Sequence, residues 1–93
     1  MFAIVYTNKM KRDVKRIIKR GKDLSKLSTT IDLLASGAPI PERYQDHTLK
    51  GDMRDYRCCH IEPDWLLIYQ IFEGKLIIVV SGTGTHSDLF KDK

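Results

Sequence analysis

This chain has few cysteines and no long apolar run. Its apolar stretches are far shorter than the roughly 20 residues that a helix needs to cross a bilayer, so we expect no membrane span. The two cysteines are the neighbours Cys58 and Cys59. Because neighbouring residues of a strand point to opposite faces, a disulfide between them would be strained. Residues 1–6 also lack the features of a signal peptide. We therefore expect reduced thiols and a cytoplasmic protein.

Closely spaced pairs of metal ligands are missing as well. Structural zinc sites usually draw on pairs of cysteines or histidines a few residues apart, and no such pair occurs in this sequence. A site built from Cys58, Cys59 and the three histidines is the competing possibility, but the spacing of these residues disfavours it. We predict that the protein uses no metal and no cofactor.

Positive charge is abundant and concentrated in one place. The chain has 16 Lys and Arg against 12 Asp and Glu, a net charge of +4, and more than half of the basic residues lie between Lys9 and Lys26. A localised basic patch attracts polyanions, nucleic acid first and an acidic protein second. On charge alone, a solvated helix face is the alternative. A chain of this length predicts one domain over residues 1–93.

Two amphipathic helices are predicted in the first half of the chain. Residues 2–7 form a strand, and Asn8 then caps a helix that Gly21 ends. Asp23 caps a second helix, which Gly37 ends and whose apolar stripe is Leu24, Leu27, Ile31 and Leu34. The first helix has an apolar face of Met10, Val14, Ile17 and Ile18 and a basic face of Lys11, Arg12, Lys15, Arg16, Lys19 and Arg20.

The second half of the chain is predicted to be β-structure. Strands are expected at residues 47–50, 54–61, 65–72 and 75–80, with a tight turn at residues 73–74. Consecutive strands joined by short turns are antiparallel. The order β-α-α-β-β-β-β therefore predicts an α+β fold. A two-helix hairpin covers one face of an antiparallel meander sheet and leaves the other face partly concave.

All three histidines lie in this β-rich half, each close to a carboxylate. The pairs are His47 with Asp46, His60 with Asp64, and His86 with Asp88. Histidine exchanges protons near neutral pH, because its unperturbed pKa is about 6.5. The 2′-hydroxyl of RNA is an internal nucleophile, so RNA can be cleaved by a protein that supplies a base, an acid and cations. The histidines and the basic patch together predict this chemistry.

Each of these features also has an ordinary structural explanation. His47 fits an exposed turn, His60 fits a half-buried strand end, and Asp64 fits the turn after Pro63. Trp65 fits either the core or a platform on which an unstacked base rests. The conjunction of the histidines, and not any one of them, therefore supports the prediction.

Three segments of the chain resemble one family of bacterial toxins. They are residues 44–51 (YQDHTLKG), 56–69 (YRCCHIEPDWLLIY) and 84–90 (GTHSDLF). These motifs, their spacing and the predicted order of elements resemble the YafQ branch of the RelE family of type II toxin–antitoxin mRNA interferases. The likeness covers essentially the whole chain, and it implies a RelE-like fold.

The resemblance implies a ribosome-dependent mRNA endonuclease. Members of the family cut mRNA in the ribosomal A site, and an acidic antitoxin wraps the toxin and doubles as a DNA-binding autorepressor. By similarity, the acid–base and orienting residues are His47, His60, Asp64 and His86. Trp65 and Phe90 match positions that shape the substrate pocket. The basic helix at residues 9–20 would rest on ribosomal RNA.

One position departs from the family pattern. The family usually carries an arginine four residues before the C-terminal histidine, and here that position is Gly82. Loss of a group that stabilises transition-state charge typically costs about 3–4 kcal/mol. Either Lys50, Arg54 or Arg57 supplies the missing charge beside the substrate, which we favour, or the protein is a weaker nuclease. The alternative hypotheses are a non-catalytic ribosome- or RNA-binding protein and a protein that mainly docks an antitoxin.

Overall fold

A mixed five-stranded sheet forms the centre of the fold. The computed structural model describes residues 1–90. The strands are β1 (Ala3–Tyr6), β2 (His47–Thr48), β3 (Arg57–Glu62), β4 (Trp65–Phe72) and β5 (Ile77–Gly84), and the helices are α1 (Asn8–Lys19), α2 (Leu24–Ser36) and α3 (His86–Phe90). Within these 90 residues, no helix is long and apolar enough to cross a membrane.

The strand order is β1-β5-β4-β3-β2. Strands β2 to β5 pair with one another antiparallel, which confirms the predicted meander and the α+β fold. The first strand joins β5 in parallel, with Ala3 opposite Ile77 and Tyr6 opposite Val80. A parallel pair requires a long connection, and the chain between these two strands supplies it.

Strands β2 and β3 are shorter than predicted, whereas β5 extends further. A 3-10 turn at Gly51–Met53 separates β2 from β3, so the strands predicted at 47–50 and 54–61 lose residues at this junction. β4 has its predicted bounds. β5 begins two residues later than predicted and continues past Val80 to Gly84.

Two apolar clusters lie on opposite faces of the sheet, because successive residues of a strand point to alternate sides. The larger cluster lies under the helices and includes Trp65, Leu67 and Tyr69 of β4 with Ile17, Leu27, Ile31 and Leu34. The smaller cluster lies on the opposite face, here named the outer face, and contains Cys58, Leu66 and Ile68 with Leu49, Tyr56, Leu89 and Phe90. The short helix α3 thus covers part of the outer face.

Helix α1 turns a carboxylate toward the core. The predicted apolar face is correct for Met10 and Ile17, which are buried, but Ile18 is half exposed. Asp13 lies on the buried stripe instead, and it is only 3% exposed. Burial of a charge at this depth requires partners that satisfy its oxygens.

The N-cap of α1 is Thr7 and not the predicted Asn8. The Thr7 hydroxyl accepts a hydrogen bond from the backbone N–H of Met10 at 3.0 Å, and Asn8 is already part of the helix. The same hydroxyl donates to the carbonyl of Ser81 at 3.3 Å. The helix start is therefore bonded directly to β5.

Side chains of α1 take the place of a neighbouring strand beside the C-terminal half of β5. Because β1 ends opposite Val80, the backbone of Thr83 has no strand neighbour on that side. Its N–H donates to the carboxylate of Asp13 at 3.1 Å, and Arg16 donates to its carbonyl at 3.4 Å. Lys9 and Arg16 also donate to Asp13, at 2.8 and 3.1 Å. These contacts explain why β5 continues beyond the end of β1.

Helix α3 is fixed at its start by a reciprocal cap. Asp88 accepts from the Thr85 N–H at 2.9 Å, and the Thr85 hydroxyl accepts from the Asp88 N–H at 3.1 Å. Arg20 donates to both carboxylate oxygens of Asp88, and this contact is the first cause of a pKa well below the ordinary value. Gly84 has a φ of +155°, and a Cβ there would lie 2.8 Å from Asp88. The start of α3 is therefore tied to α1.

Replacement of Asp13 by Asn tests the strand-like role of this carboxylate. The variant Asp13→Asn leaves Lys9 and Arg16 beside a neutral group, so we expect a loss of about 3 kcal/mol in the free energy of unfolding. The melting temperature should fall by roughly 10–20 °C. The exposed Asp32→Asn is the matched control and should unfold within about 0.5 kcal/mol of wild type. Equal stability of the two variants in thermal and urea unfolding would refute the role.

Candidate active site

The three histidines form a row on the outer face of the sheet. His47 pairs with Cys58 across β2 and β3, and His60 pairs with Leu66 across β3 and β4. Both partners belong to the outer cluster, so both imidazoles project on that face. The ring centroids of His47 and His60 are 6.1 Å apart, and those of His60 and His86 are 5.8 Å apart. The sequence-predicted histidines therefore meet in one place, with His60 in the middle.

Asp64 holds the third histidine through one carboxylate oxygen. This oxygen lies 2.8 Å from the backbone nitrogen of His86 and 2.5 Å from its Nδ1. The two contacts, the backbone one first, lower the pKa of Asp64. The carboxylate thus stays charged and orients the ring by accepting from Nδ1. With Nδ1 held by Asp64, Nε2 lies on the side of the ring that faces away from this carboxylate.

The other two rings are positioned by the backbone around them. Nδ1 of His47 lies 2.7 Å from the carbonyl oxygen of Gln45, whose left-handed conformation ends the 3-10 turn Glu42–Tyr44. This contact assigns a proton to Nδ1 and leaves Nε2 as an acceptor. Nδ1 of His60 is buried and has no hydrogen-bond partner within residues 1–90. A cleft of about 340 Å³ opens beside this ring, and it is lined by Arg43, Tyr44, Gln45, His60, Ile61, Glu62 and Pro63.

Trp65 lies in the core and not in the site. Its ring is 1% exposed, and its indole N–H donates to the hydroxyl of Thr83 at 2.9 Å. A base cannot stack on a ring that is buried to this extent, so the predicted contact with substrate is corrected to a structural role. Phe90 is partly buried and packs on the outer cluster. It remains on the face that carries the histidines.

Arg57 lies on the opposite face from the histidines, because one residue step along β3 separates it from Cys58. It is paired with Tyr69 across β3 and β4 and donates to Asp46 at 2.8 Å. The Tyr69 hydroxyl also donates to Asp46, and burial is the first cause of its raised pKa. The prediction that Arg57 contacts substrate is therefore wrong. The network instead anchors Asp46, the neighbour of His47.

The basic surface in the structure is smaller than the sequence predicts. Arg16 and Arg20 point toward Asp13 and Asp88 and are held in ion pairs. Of the basic residues predicted to contact RNA, Lys11, Arg12, Lys15 and Lys19 of α1 and Lys50 and Arg54 after β2 are exposed and lie outside these ion pairs. Arg54 additionally donates to the carbonyl of Gly51 at 3.3 Å.

The two cysteines are buried, free and on opposite faces of β3. Burial is the first cause that raises the pKa of Cys58 to about 11 and that of Cys59 to about 12. Both are therefore thiols at neutral pH, and a thiol is a poor nucleophile and metal ligand. Within the described residues, no three His, Cys, Asp or Glu side chains are grouped to hold a metal ion.

The sequence reasoning missed Asp13 and Lys9, and it named Asp88 as the carboxylate beside His86 and not as a helix cap. Asp13 and Lys9 lie in a basic stretch, and nothing in that pattern distinguishes them from surface charges. Asp88 was detectable in part, because Thr85 followed three residues later by an acidic residue is a capping signal. These side chains act on His86 through the backbone of β5 and the cap of α3.

Solved structures similar to this fold include two bacterial toxins. The DinJ–YafQ complex of Escherichia coli has 38% sequence identity and a TM-score of 0.88, and the match covers 97% of this chain and 99% of that one. A metal-bound toxin from Helicobacter pylori has 39% identity and a TM-score of 0.89, and the match covers 97% and 100% of the two chains.

The sequence comparisons agree with the structural ones. Residues 2–91 match a family model described as a bacterial toxin of the type II toxin–antitoxin system, YafQ. The mRNA interferase toxin YafQ of Escherichia coli K12 is 41% identical over 88 residues, which are 94% of either chain. With its motifs, fold and relatives in agreement, the chain belongs to the YafQ family of toxins of type II toxin–antitoxin systems.

Proposed function

We propose that this toxin is an endoribonuclease that cuts mRNA on the ribosome, in the cytoplasm, with its three histidines and Asp64. The observation that carries the proposal is the row of imidazoles on the outer face, with Asp64 bonded to the ring at one end. The mRNA interferase name of the Escherichia coli relative supports the choice of mRNA as substrate.

The proposed step is an attack by the RNA on itself. One imidazole takes the proton of the 2′-hydroxyl, and the resulting oxygen bonds to the adjacent phosphorus. The bond from phosphorus to the 5′-oxygen breaks, and a second imidazole protonates that oxygen. The products are a 2′,3′-cyclic phosphate and a 5′-hydroxyl. Neighbouring rings about 6 Å apart reach one phosphate between them, since each hydrogen bond spans about 3 Å.

Asp64 serves this step by fixing one tautomer of His86. A carboxylate on Nδ1 keeps the proton there, directs Nε2 to the substrate and stabilises the imidazolium that forms when the ring accepts a proton. Because the imidazoles provide both proton transfers, we propose that the reaction does not depend on a metal ion.

The exposed lysines and arginine of α1 provide the proposed contact with the ribosome. A polyanion is attracted to a surface that carries Lys11, Arg12, Lys15 and Lys19. Arg16 and Arg20 contribute less to this attraction, because their charges are paired with Asp13 and Asp88. An acidic antitoxin is the second proposed partner, and the solved complex of the relative with DinJ supports it.

A ribosome-binding protein without nuclease activity is the second candidate. Gly82 and the inward position of Arg57 favour it, because they leave two of the expected transition-state cations out of the site. Induction of such a protein would arrest growth with intact mRNA.

Loss of the imidazole at position 86 tests the catalytic proposal. His86→Gln should lower the maximal rate of mRNA cleavage on programmed ribosomes by at least about 10²-fold, because it removes a proton carrier. Asp64→Asn should lower that rate as well, since it removes the charge that orients His86. Asp32→Asn is the control and should cleave as wild type does. Cleavage by His86→Gln at the wild-type rate would eliminate the assignment.

Charge reversal on α1 tests the ribosome contact. Lys15→Glu and Lys19→Glu should weaken binding to ribosomes, and each should reduce the salt dependence of binding by about one unit of slope. Lys75→Glu, an exposed lysine in the turn before β5, is the matched control. If all three variants bind equally in a salt titration, α1 is not the docking surface.

A further inference from the structure

A cation from α1 fills the space above Gly82 on the outer face. The register places Gly82 opposite Ile68, Ile68 opposite Cys58, and Cys58 opposite His47, so Gly82 and His47 lie in one cross-strand row. A Cβ on Gly82 would lie 3.0 Å from the ammonium nitrogen of Lys9. Lys9 therefore reaches over the edge of β5 and occupies the position of the missing side chain.

The ammonium of Lys9 is anchored but not neutralised. It donates to Asp13, which Arg16 also contacts, and Asp88 pairs with Arg16 and Arg20. Three cations and two carboxylates leave this network with one positive charge. The side chain of Lys9 is 54% exposed, more than either arginine, so the excess charge is most accessible at this ammonium.

Open space adjoins the ammonium on the outer face. A cavity of about 140 Å³ lies between Lys9 and a wall that includes Tyr56, Ile68, Leu89 and Phe90. The wall is largely apolar, and Lys9 is the single charged residue among those that line the cavity within residues 1–90. The Asp13 oxygen that accepts from Lys9 lies 3.1 Å from the same Cβ position, but Asp13 is buried and does not line the cavity. An anion that enters this space therefore meets the ammonium of Lys9 first.

Lys9 is too far from His60 to bind the phosphate at the cleavage site, so it can contact only a neighbouring part of the RNA. Gly84 lies in the cross-strand row of Leu66 and His60. Two residue steps along β5 separate Gly82 from Gly84, which is about 7 Å, and two strand spacings of about 5 Å each separate β5 from β3. The two displacements together place Lys9 roughly 12 Å from His60, beyond the reach of a phosphate held between His47 and His60.

We propose that Lys9 binds the phosphate of a nucleotide that neighbours the cleavage site, and so positions the RNA strand across the outer face. The proposal rests on the nuclease function proposed above. Arg57, one of the cations expected from the sequence to supply charge beside the substrate, lies on the opposite face. Lys9 reaches the outer face because it is bonded to the buried carboxylate of Asp13 and because Gly82 has no side chain that would block it.

The test measures cleavage of mRNA on programmed ribosomes under single-turnover conditions, over a range of toxin concentrations. Lys9→Gln removes the charge but keeps a donor for Asp13, and Lys9→Arg keeps the charge. Lys75→Gln removes one charge at the far end of the sheet and serves as control. We expect Lys9→Gln to raise the half-saturating concentration about tenfold relative to Lys75→Gln and to leave the maximal rate within about twofold. Lys9→Arg should restore the wild-type value.

The outcomes separate this inference from the function on which it rests. If the wild type cuts no mRNA, the nuclease function fails and the inference fails with it. If the wild type cuts, His86→Gln does not, and Lys9→Gln equals Lys75→Gln, only the inference fails. A loss confined to the maximal rate, or a Lys9→Arg variant as weak as Lys9→Gln with a lowered melting temperature, would also overturn it.

Discussion

The fold of the site depends on the buried carboxylate of Asp13. It accepts the backbone N–H of Thr83 at the point where β5 has lost its strand neighbour, and it gathers Lys9 and Arg16 around it. A buried charge is tolerated only when its oxygens are fully bonded, so this arrangement admits one position of α1 against β5. That position sets where β5 ends and where α3 begins. His86, the first residue of α3, is therefore placed by a contact on the other side of β5.

The alternation of side chains along the strands explains why the outer face carries the histidines and the opposite face carries the residues that support them. His47 and His60 project on the outer face, whereas Arg57 and Asp46 turn toward the helices and stabilise the chain behind His47. Two networks of ion pairs thus hold the ends of the histidine row, one through Asp46 and one through Asp88. The rings of His47 and His86 are exposed and that of His60 is partly buried, while the carboxylates that support the ends of the row are hydrogen-bonded. Fixed supports of this kind are a condition for a preorganised site.

Much of this could be predicted from the sequence, because apolar runs and alternation are local signals. β4 has its predicted bounds, and the convergence of the histidines follows from antiparallel pairing. Arg57 was misplaced because a shift of one residue in a strand reverses its face. The parallel position of β1 and the burial of Asp13 had no local signal, since both depend on which edge of the sheet α1 covers. Trp65 was compatible with two roles, and only its burial distinguishes them.

We propose that RNA bound on the outer face is cleaved by attack of the RNA's own 2′-hydroxyl, with histidines as the proton carriers. The most direct measurement maps the cut on ribosome-bound mRNA that carries a single 2′-deoxy nucleotide on the 5′ side of the scissile phosphate, and identifies the ends of the fragments from unmodified mRNA. The account predicts that the deoxy substitution abolishes cutting at that site and that unmodified fragments end in a 2′,3′-cyclic phosphate and a 5′-hydroxyl. Undiminished cutting of the deoxy substrate, or fragments with a 3′-hydroxyl and a 5′-phosphate, would contradict it.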